Sequence, residues 1–429
     1  MLAAVPMSLS RHSDRVAAAS SERPSENRSA SEAGGDGLIA AGTPEFRRVS
    51  WTLCAAGFAT FSLLYLVQPL LPVLAADFAV SPATSSLALS ASTETLSFAL
   101  LFSGALSDRV GRKPVMVTSI LSAALLTFLV AAAPSWGWLL FARVLLGISL
   151  SGVQAVGMAY LAEEMQPRAF GLALGIFISG GVVGGMGGRL MISFMADVMS
   201  WRTATAIIGA LAFLVVLAVW RFLPASRHFH GRRAAIGLPH AFLAHLSNGT
   251  LLLLFAEAFL LMGGFVNVFN YISFRLVGPP FLLSQGLVGA IFAVYVTGMF
   301  SSPWGGNLAA RLGHARVFWP MLIVSGCGLA MTLPDNLAVI VVGAAVFAFG
   351  FFAAHSIASG WVSQTARLNK ALAASLYLFF YYQGSSIVGG AGGLFWSAYG
   401  WPGVAGLTGG LLGAALIIAL VLRRRLQPA

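Results

Sequence analysis

The sequence predicts an all-α membrane protein with twelve transmembrane helices arranged as two pseudo-symmetric six-helix bundles. Three observations carry that prediction. Of the 429 residues, 58% are hydrophobic and only 9% charged, against the roughly 25% charged of a soluble domain. Apolar runs long enough to cross a hydrocarbon core of about 30 Å recur between clusters of Gly, Pro, Arg and His. Short stretches of the first half return in the second at a nearly constant offset.

Taken in order, residues 1–46 are rich in Ser, Ala, Gly and charges and read as a disordered cytoplasmic tail. They contain no apolar stretch of the kind a secretory signal needs. Six spans follow at 50–74, 85–106, 114–133, 137–160, 170–194 and 203–223, forming a first bundle over 47–223. The longest connection, 224–248, is a cytoplasmic linker with Arg227, Arg232, Arg233, His228, His230, His240 and His245. A second bundle over 249–425 holds spans at 249–274, 284–306, 317–334, 337–361, 371–397 and 403–422. Cys54 and Cys327 both fall inside spans, which leaves no disulfide framework or metal-ligand spacing; no metal or cofactor is expected.

The net charge of +11 is explained by placement and does not point to nucleic acid. With the N-terminus inside, 21 of the 25 basic residues lie in the tail, the C-terminus and the loops on that side, and two, Arg202 and Arg275, in loops opposite. Arg143 and Arg189 lie within spans. This asymmetry puts both termini in the cytoplasm of a multi-pass protein.

The internal repeat is visible in "GALSDRVGR" from Gly104 against "GNLAARLGH" from Gly306, at an offset of 202. "GGVVGG" from Gly180 faces "SSIVGG" from Ser385, and Trp201 faces Trp401. Two such halves place a substrate site between them near the bilayer midplane.

"LSDRVGRKP" reads first as a tight cytoplasmic turn: Gly111 bends the chain and Pro114 opens the next helix. Gly104, Asp108, Arg109, Gly111, Arg112 and Lys113 together resemble the loop signature of the major facilitator superfamily. The resemblance implies a charged cytoplasmic gate made and broken during alternating access. In the second half Ala310 replaces the acid. "ARVLLGISLSG" sets Arg143 one turn before Gly147 and resembles that family's Arg-x-x-x-Gly motif, associated with proton coupling. "SGGVVGGMGGRL" packs six glycines between Gly180 and Gly188. Gly180, Gly181, Gly184 and Gly185 suit close helix packing and resemble the antiporter motif Gly-Pro-x-x-Gly-Gly, with Gly181 standing where the proline is expected. Across 40–425 the chain resembles the bacterial inner-membrane transporters grouped with acriflavine sensitivity and labelled arabinose-efflux-like, near the drug/proton antiporters. "GTPEFRRVS", "LLYLVQPLLPVL" and "FAEAFLLMGGFV" carry that finer resemblance.

Proton coupling needs a group that changes charge as access alternates. Of fourteen acids, only Glu94 and Glu257 lie well inside spans, where an ionisable residue marks a functional site or a structural ion pair. Glu257 is the first candidate for proton binding, the alternative being partnership with a buried base. Glu94 shares a polar stripe with Ser86, Ser90 and Ser97, and reads either as a second proton or cation-binding site or as the partner of Arg143 or Arg189. His355 is a relay candidate or a satisfied histidine bonded to Ser356. Arg189 either faces the cavity or snorkels to the interface. Asn267, Asn270, Tyr65, Gln68, Tyr381, Tyr382 and Gln383 are candidates to line the substrate cavity.

The reading is a bacterial inner-membrane secondary transporter, monomeric, exporting a small organic compound in exchange for protons. Uptake or facilitated diffusion of a sugar or organic acid is the alternative, and a transport-like sensor a more remote one. No Walker loop, His-Glu-x-x-His or Gly-x-Ser-x-Gly motif is present, so the sequence does not read as an enzyme.

Overall fold

The structure, a computed structural model, describes residues 37–228 and 238–426. The expected tail before residue 37, and His230, Arg232 and Arg233 of the linker, lie outside the described residues. The helices run α1 Pro44–Tyr65, α2 Leu71–Asp77, α3 Pro82–Val110, α4 Arg112–Ala131, α5 Trp136–Glu164, α6 Pro167–Val198 and α7 Trp201–Phe222. After the connection come α8 Leu238–Ser247, α9 Gly249–Val277, α10 Gln285–Ala290, a 3-10 turn Ile291–Tyr295, α11 Val296–Leu312, α12 His314–Met331, α13 Leu337–Thr365 and α14 Lys370–Leu426.

Local chemistry sets the ends. Thr43, Ser81, Ser135, Ser200, Asn248, Ser284 and Asn336 each accept a backbone N–H in the first turn of the helix they precede, which satisfies a donor the helix cannot. Gly111 (φ +102°) and Gly313 (φ +91°) break α3 from α4 and α11 from α12 in the same backbone shape. Only glycine adopts that shape readily, so the repeat seen in the sequence is a repeat in geometry.

Among the described residues eight helices are long and apolar enough to cross a bilayer, or nine if the bent pair α2 and α3 counts as one span. Three further long helices, α1, α3 and α12, are more polar because they carry Arg47 and Arg48, a Ser/Thr-rich face, and His314 with Arg316. The long α14 is two legs broken at Gly400 (φ +62°), next to Pro402. Among the described residues, twelve long helical segments thus correspond to the twelve expected spans. Two differ in shape from the sequence expectation. The span 50–74 is not continuous: α1 ends at Tyr65 and α2 restarts at Leu71, with Pro69 in the break and Pro72 in the first turn of α2, since proline disfavours helix in the residue before it and is tolerated at a helix start. The span 284–306 passes through the 3-10 turn, which carries Phe292 and Tyr295.

Each bundle repeats one packing scheme. In the first, α1 lies on α6, α3 on α5, and α4 on both α5 and α7; in the second, α9 lies on α14, α11 on α13, and α12 on both α13 and α14. The glycine face of α6 presses on α1: a Cβ at Gly180, Gly184 or Gly188 would meet the Cys54 carbonyl at 2.2 Å, the Phe58 carbonyl at 2.2 Å or Ser62 Cα at 2.6 Å. Gly181 faces the Phe61 ring and Gly185 faces Arg189. In α14, Gly384 makes the matching approach to the Phe259 carbonyl. Outward, Trp51, Phe102, Leu172, Leu214, Trp220, Phe300, Leu394 and Ile417 stand exposed, an apolar belt suited to lipid.

The halves meet where α3 packs on α14, α6 on α10 and the 3-10 turn, and α2 on α9. All the hydrogen bonds between halves among the described residues lie between the end remote from the basic loops and the pair Gln154–Tyr382. Toward the basic end, the last ten residues of α5 make no such bond. Among the described residues, hydrogen bonds bridge the halves toward the remote end and none does so beyond Gln154–Tyr382 toward the basic end.

Candidate functional site

The break between α1 and α2 exposes backbone carbonyls inside the bundle, and Arg143 uses them. Gly147, one turn on, lets α5 approach α3 so closely that a Cβ there would lie 2.2 Å from the Ser92 carbonyl. Fully buried, the Arg143 guanidinium donates to the carbonyls of Leu63 (3.0 Å), Leu64 (2.6 Å) and Ala88 (2.7 Å). A cation at a helix C-terminus is favourable, so Arg143 fixes the end of α1. It forms no ion pair among the described residues, and Glu94, read as its possible partner, lies elsewhere.

At that fixed end sit Tyr65 and Gln68. Gln68 is fully buried and acts twice: its carbonyl accepts from Arg189 Nε at 2.7 Å, and its amide donates to Asn270 Oδ1 at 2.8 Å. The chain thus runs from α6 through the α1–α2 break to α9, crossing from one half to the other. Arg189 does not snorkel; only 3% exposed, it lies over the rings of Tyr65 (4.0 Å), Tyr295 (5.0 Å) and Phe292 (5.3 Å). Asn267, by contrast, donates to Thr408 Oγ1 (2.9 Å) and the Val404 carbonyl (3.2 Å), binding α9 to the second leg of α14.

A second bridge lies nearer the basic end. Gln383 donates to Glu94 Oε1 (3.1 Å) and Ser97 Oγ (2.8 Å), while Ser386 bonds Thr93 Oγ1 (2.7 Å) and the Ser90 carbonyl (3.0 Å). Glu94 therefore has an amide and not an arginine as its partner. Tyr382 pairs with Gln154 of α5 at 3.2 Å.

Glu257 has a different setting. Its carboxyl is fully buried, and neither oxygen has a hydrogen-bond partner among the described residues. Elsewhere, the Tyr377 hydroxyl of α14 bonds His355 Nδ1 at 3.0 Å. The His355 ring lies 4.7 Å from that of Tyr381. The structure therefore links His355 to tyrosines and not to Ser356.

At the basic end Arg112 is the hub. It lies 2.7 Å from Asp108 and 2.6 Å from Glu163 of α5, and it also reaches the Ser107 hydroxyl. Gly104 and Lys113 are half-buried and Arg109 is exposed. Both ion pairs stay within the first half, fixing the α3–α4 turn to the end of α5. Next to it, Glu164 accepts from Ser226 Oγ (2.5 Å), Arg227 N (2.7 Å) and His228 N (2.9 Å), with the His228 ring at 3.2 Å. Burial pushes the Glu164 carboxyl up, but these donors outweigh it and hold it below the ordinary glutamate range. The Ile39 amide bonds the Glu164 carbonyl at 2.8 Å, so one residue holds both the segment before α1 and the start of the linker.

Sequence reasoning missed Tyr377, Tyr295, Gln154, Glu163 and Glu164. The first three lie among many aromatics and amides; the two acids, at a helix end, carried no signal of their partners.

Comparison with known proteins agrees with this architecture. The family profile described as Major Facilitator Superfamily matches residues 53–284. The chain is 46% identical over 393 residues to the inner membrane transport protein YnfM of Escherichia coli (strain K12), covering 91% of this chain and 94% of that protein. It is 40% identical over 390 residues to the MFS-type transporter YybF of Bacillus subtilis (strain 168), covering 91% and 96%. The crystal structure of the nucleoside transporter NupG superposes with a TM-score of 0.71 at 15% identity, covering 88% of this chain and all of that one. A bacterial homologue of the lysosomal transporter Spinster gives 0.70 at 16%, covering 90% and 96%.

Proposed function

The chain belongs to the Major Facilitator Superfamily and is a multi-pass membrane transporter, not an enzyme; from that premise we propose that it exports a small organic compound across the bacterial inner membrane in exchange for protons. The observation that carries this reading is Glu257, a fully buried carboxyl with neither oxygen hydrogen-bonded. A carboxylate so placed costs far more than a neutral carboxyl. The group therefore favours the protonated form here and releases its proton when alternation opens it to water.

In this scheme both termini and the basic loops face the cytoplasm, and the substrate enters a cavity between the bundles 47–223 and 249–425. Tyr65, Gln68, Asn270, Tyr381, Tyr382 and Gln383 line it. His355 and Tyr377 pass the proton between Glu257 and the cavity, and Glu94 holds the wall through Gln383. Arg112 with Asp108 and Glu163 stiffens the cytoplasmic end of α3 and α5 so that it can close as a unit. The protein works as a monomer and needs no cofactor.

The test is transport in proteoliposomes holding a trapped pH dye, with an imposed pH gradient and a screen of organic acids, sugars and cationic dyes. Substrate movement that drives protons the opposite way supports the reading. Flux indifferent to the gradient would favour facilitated diffusion of a sugar or organic acid.

A further inference from the structure

Arg189 is only 3% exposed, yet it makes no ion pair among the described residues. Its hydrogen bonds go to two neutral acceptors, Gln68 Oε1 at 2.7 Å and the Gly185 carbonyl at 2.5 Å. The rings of Tyr65 and Tyr295 lie against the guanidinium. One of these, Tyr295, is buried with its hydroxyl unbonded.

A buried guanidinium with only neutral acceptors and a buried O–H with none thus lie in one cluster, where α1, α6 and the 3-10 turn meet. Aromatic faces offset part of the cost of the charge, but a guanidinium fork and an orphaned O–H are complemented by an anion. The rings of Tyr65, Phe292 and Tyr295 that surround the guanidinium offer a flat apolar wall beside it. Half-buried Tyr381 lies toward His355 and the cavity.

We propose that Arg189 and Tyr295 recognise the carboxylate of the substrate, and that the substrate is a planar, conjugated monocarboxylate whose body lies against the Tyr65 and Phe292 rings. This rests on the reading that the cavity between the bundles carries the substrate. A carboxylate is a stronger acceptor than an amide carbonyl, so it displaces Gln68 from Arg189. Gln68 also holds Asn270 of the other half, and its displacement loosens the closed end when substrate is bound. Exchange of one such anion for one inward proton moves two positive charges inward per cycle, whereas exchange of a monocation moves none.

The test is binding to the purified full-length protein in detergent, by calorimetry and thermal melting, with three probes of similar shape: cinnamate, cinnamamide and cinnamylammonium. Cinnamate alone is expected to bind and to raise the melting temperature. Arg189→Gln should weaken it about 100-fold and the isosteric Tyr295→Phe about tenfold, as expected when a site loses a donor meant for the ligand. Gln68→Ala, which removes the competing acceptor, should tighten it. Equal binding of the amide or the ammonium, unchanged cinnamate binding in Tyr295→Phe, or no cinnamate binding would each overturn the proposal. No gradient is present, so these outcomes are independent of proton coupling at Glu257. Tyr295→Phe keeps the volume of the side chain and guards against a folding defect in Arg189→Gln.

Discussion

Gln68 Nε2 donates to Asn270 Oδ1 across 2.8 Å, and this one bond joins residues 202 positions apart in opposite halves. Because the Gln68 carbonyl is also held by Arg189, the link is rigid at both ends. One such bond is worth about 1 kcal/mol net, which corresponds to about a fivefold shift between two states. Asn270→Ala should therefore raise the fraction of molecules open at the remote end about fivefold. Spin labels at Ala132 and Leu333, exposed positions at that end in opposite halves, would read this as a longer-distance population. An unchanged distribution would mean that the bond is incidental.

The glycine face of α6 should be sharply position-dependent. A Cβ at Gly184 would lie 2.2 Å from the Phe58 carbonyl, whereas Gly171 of the same helix has open space. Gly184→Ala should cost about 2 kcal/mol by forcing α1 off α6. Gly171→Ala should be neutral or stabilising by about 0.5–1 kcal/mol through helix propensity. Melting temperatures of the two purified variants check the contrast.

Glu164 should clasp the linker over a defined pH range. Its carboxyl titrates below the ordinary glutamate range in the folded protein, so its contribution is fully present above the unfolded value of about 4.3 and is lost as pH falls through the lower folded value. Glu45, Arg48, Arg227 and Tyr160 also bear on the cluster. Hydrogen exchange of residues 224–228, corrected for intrinsic rate, should stay slow from pH 8 to 5 and rise only below about 4. Glu164→Ala should lose protection at every pH, at a cost of about 2 kcal/mol.

Much of this was legible from the chain. Period, length and charge asymmetry define the spans because a bilayer demands about 20 apolar residues and tolerates few charges. Gly111 and Gly313 revealed the repeat because a positive φ restricts the residue type. Illegible were pairings set by tertiary geometry. Arg143 looked like a partner for Glu94, but the broken end of α1 supplies carbonyls that answer it first. Gln68 and Gln383 gave little sign that each would tie one half to the other, since an amide's partner is decided by which helices meet. Tyr295 was hidden among many aromatics, and only the 3-10 turn brings it to Arg189.

The central claim is that Glu257 carries the coupled proton, and the most direct measurement compares two modes of transport by Glu257→Gln in proteoliposomes. Gln cannot ionise but keeps the size of the side chain. The account predicts that substrate counterflow, which needs no net proton movement, persists, while transport driven by a pH gradient and proton release into the trapped dye are lost. Gradient-driven transport at the normal rate in Glu257→Gln would contradict it.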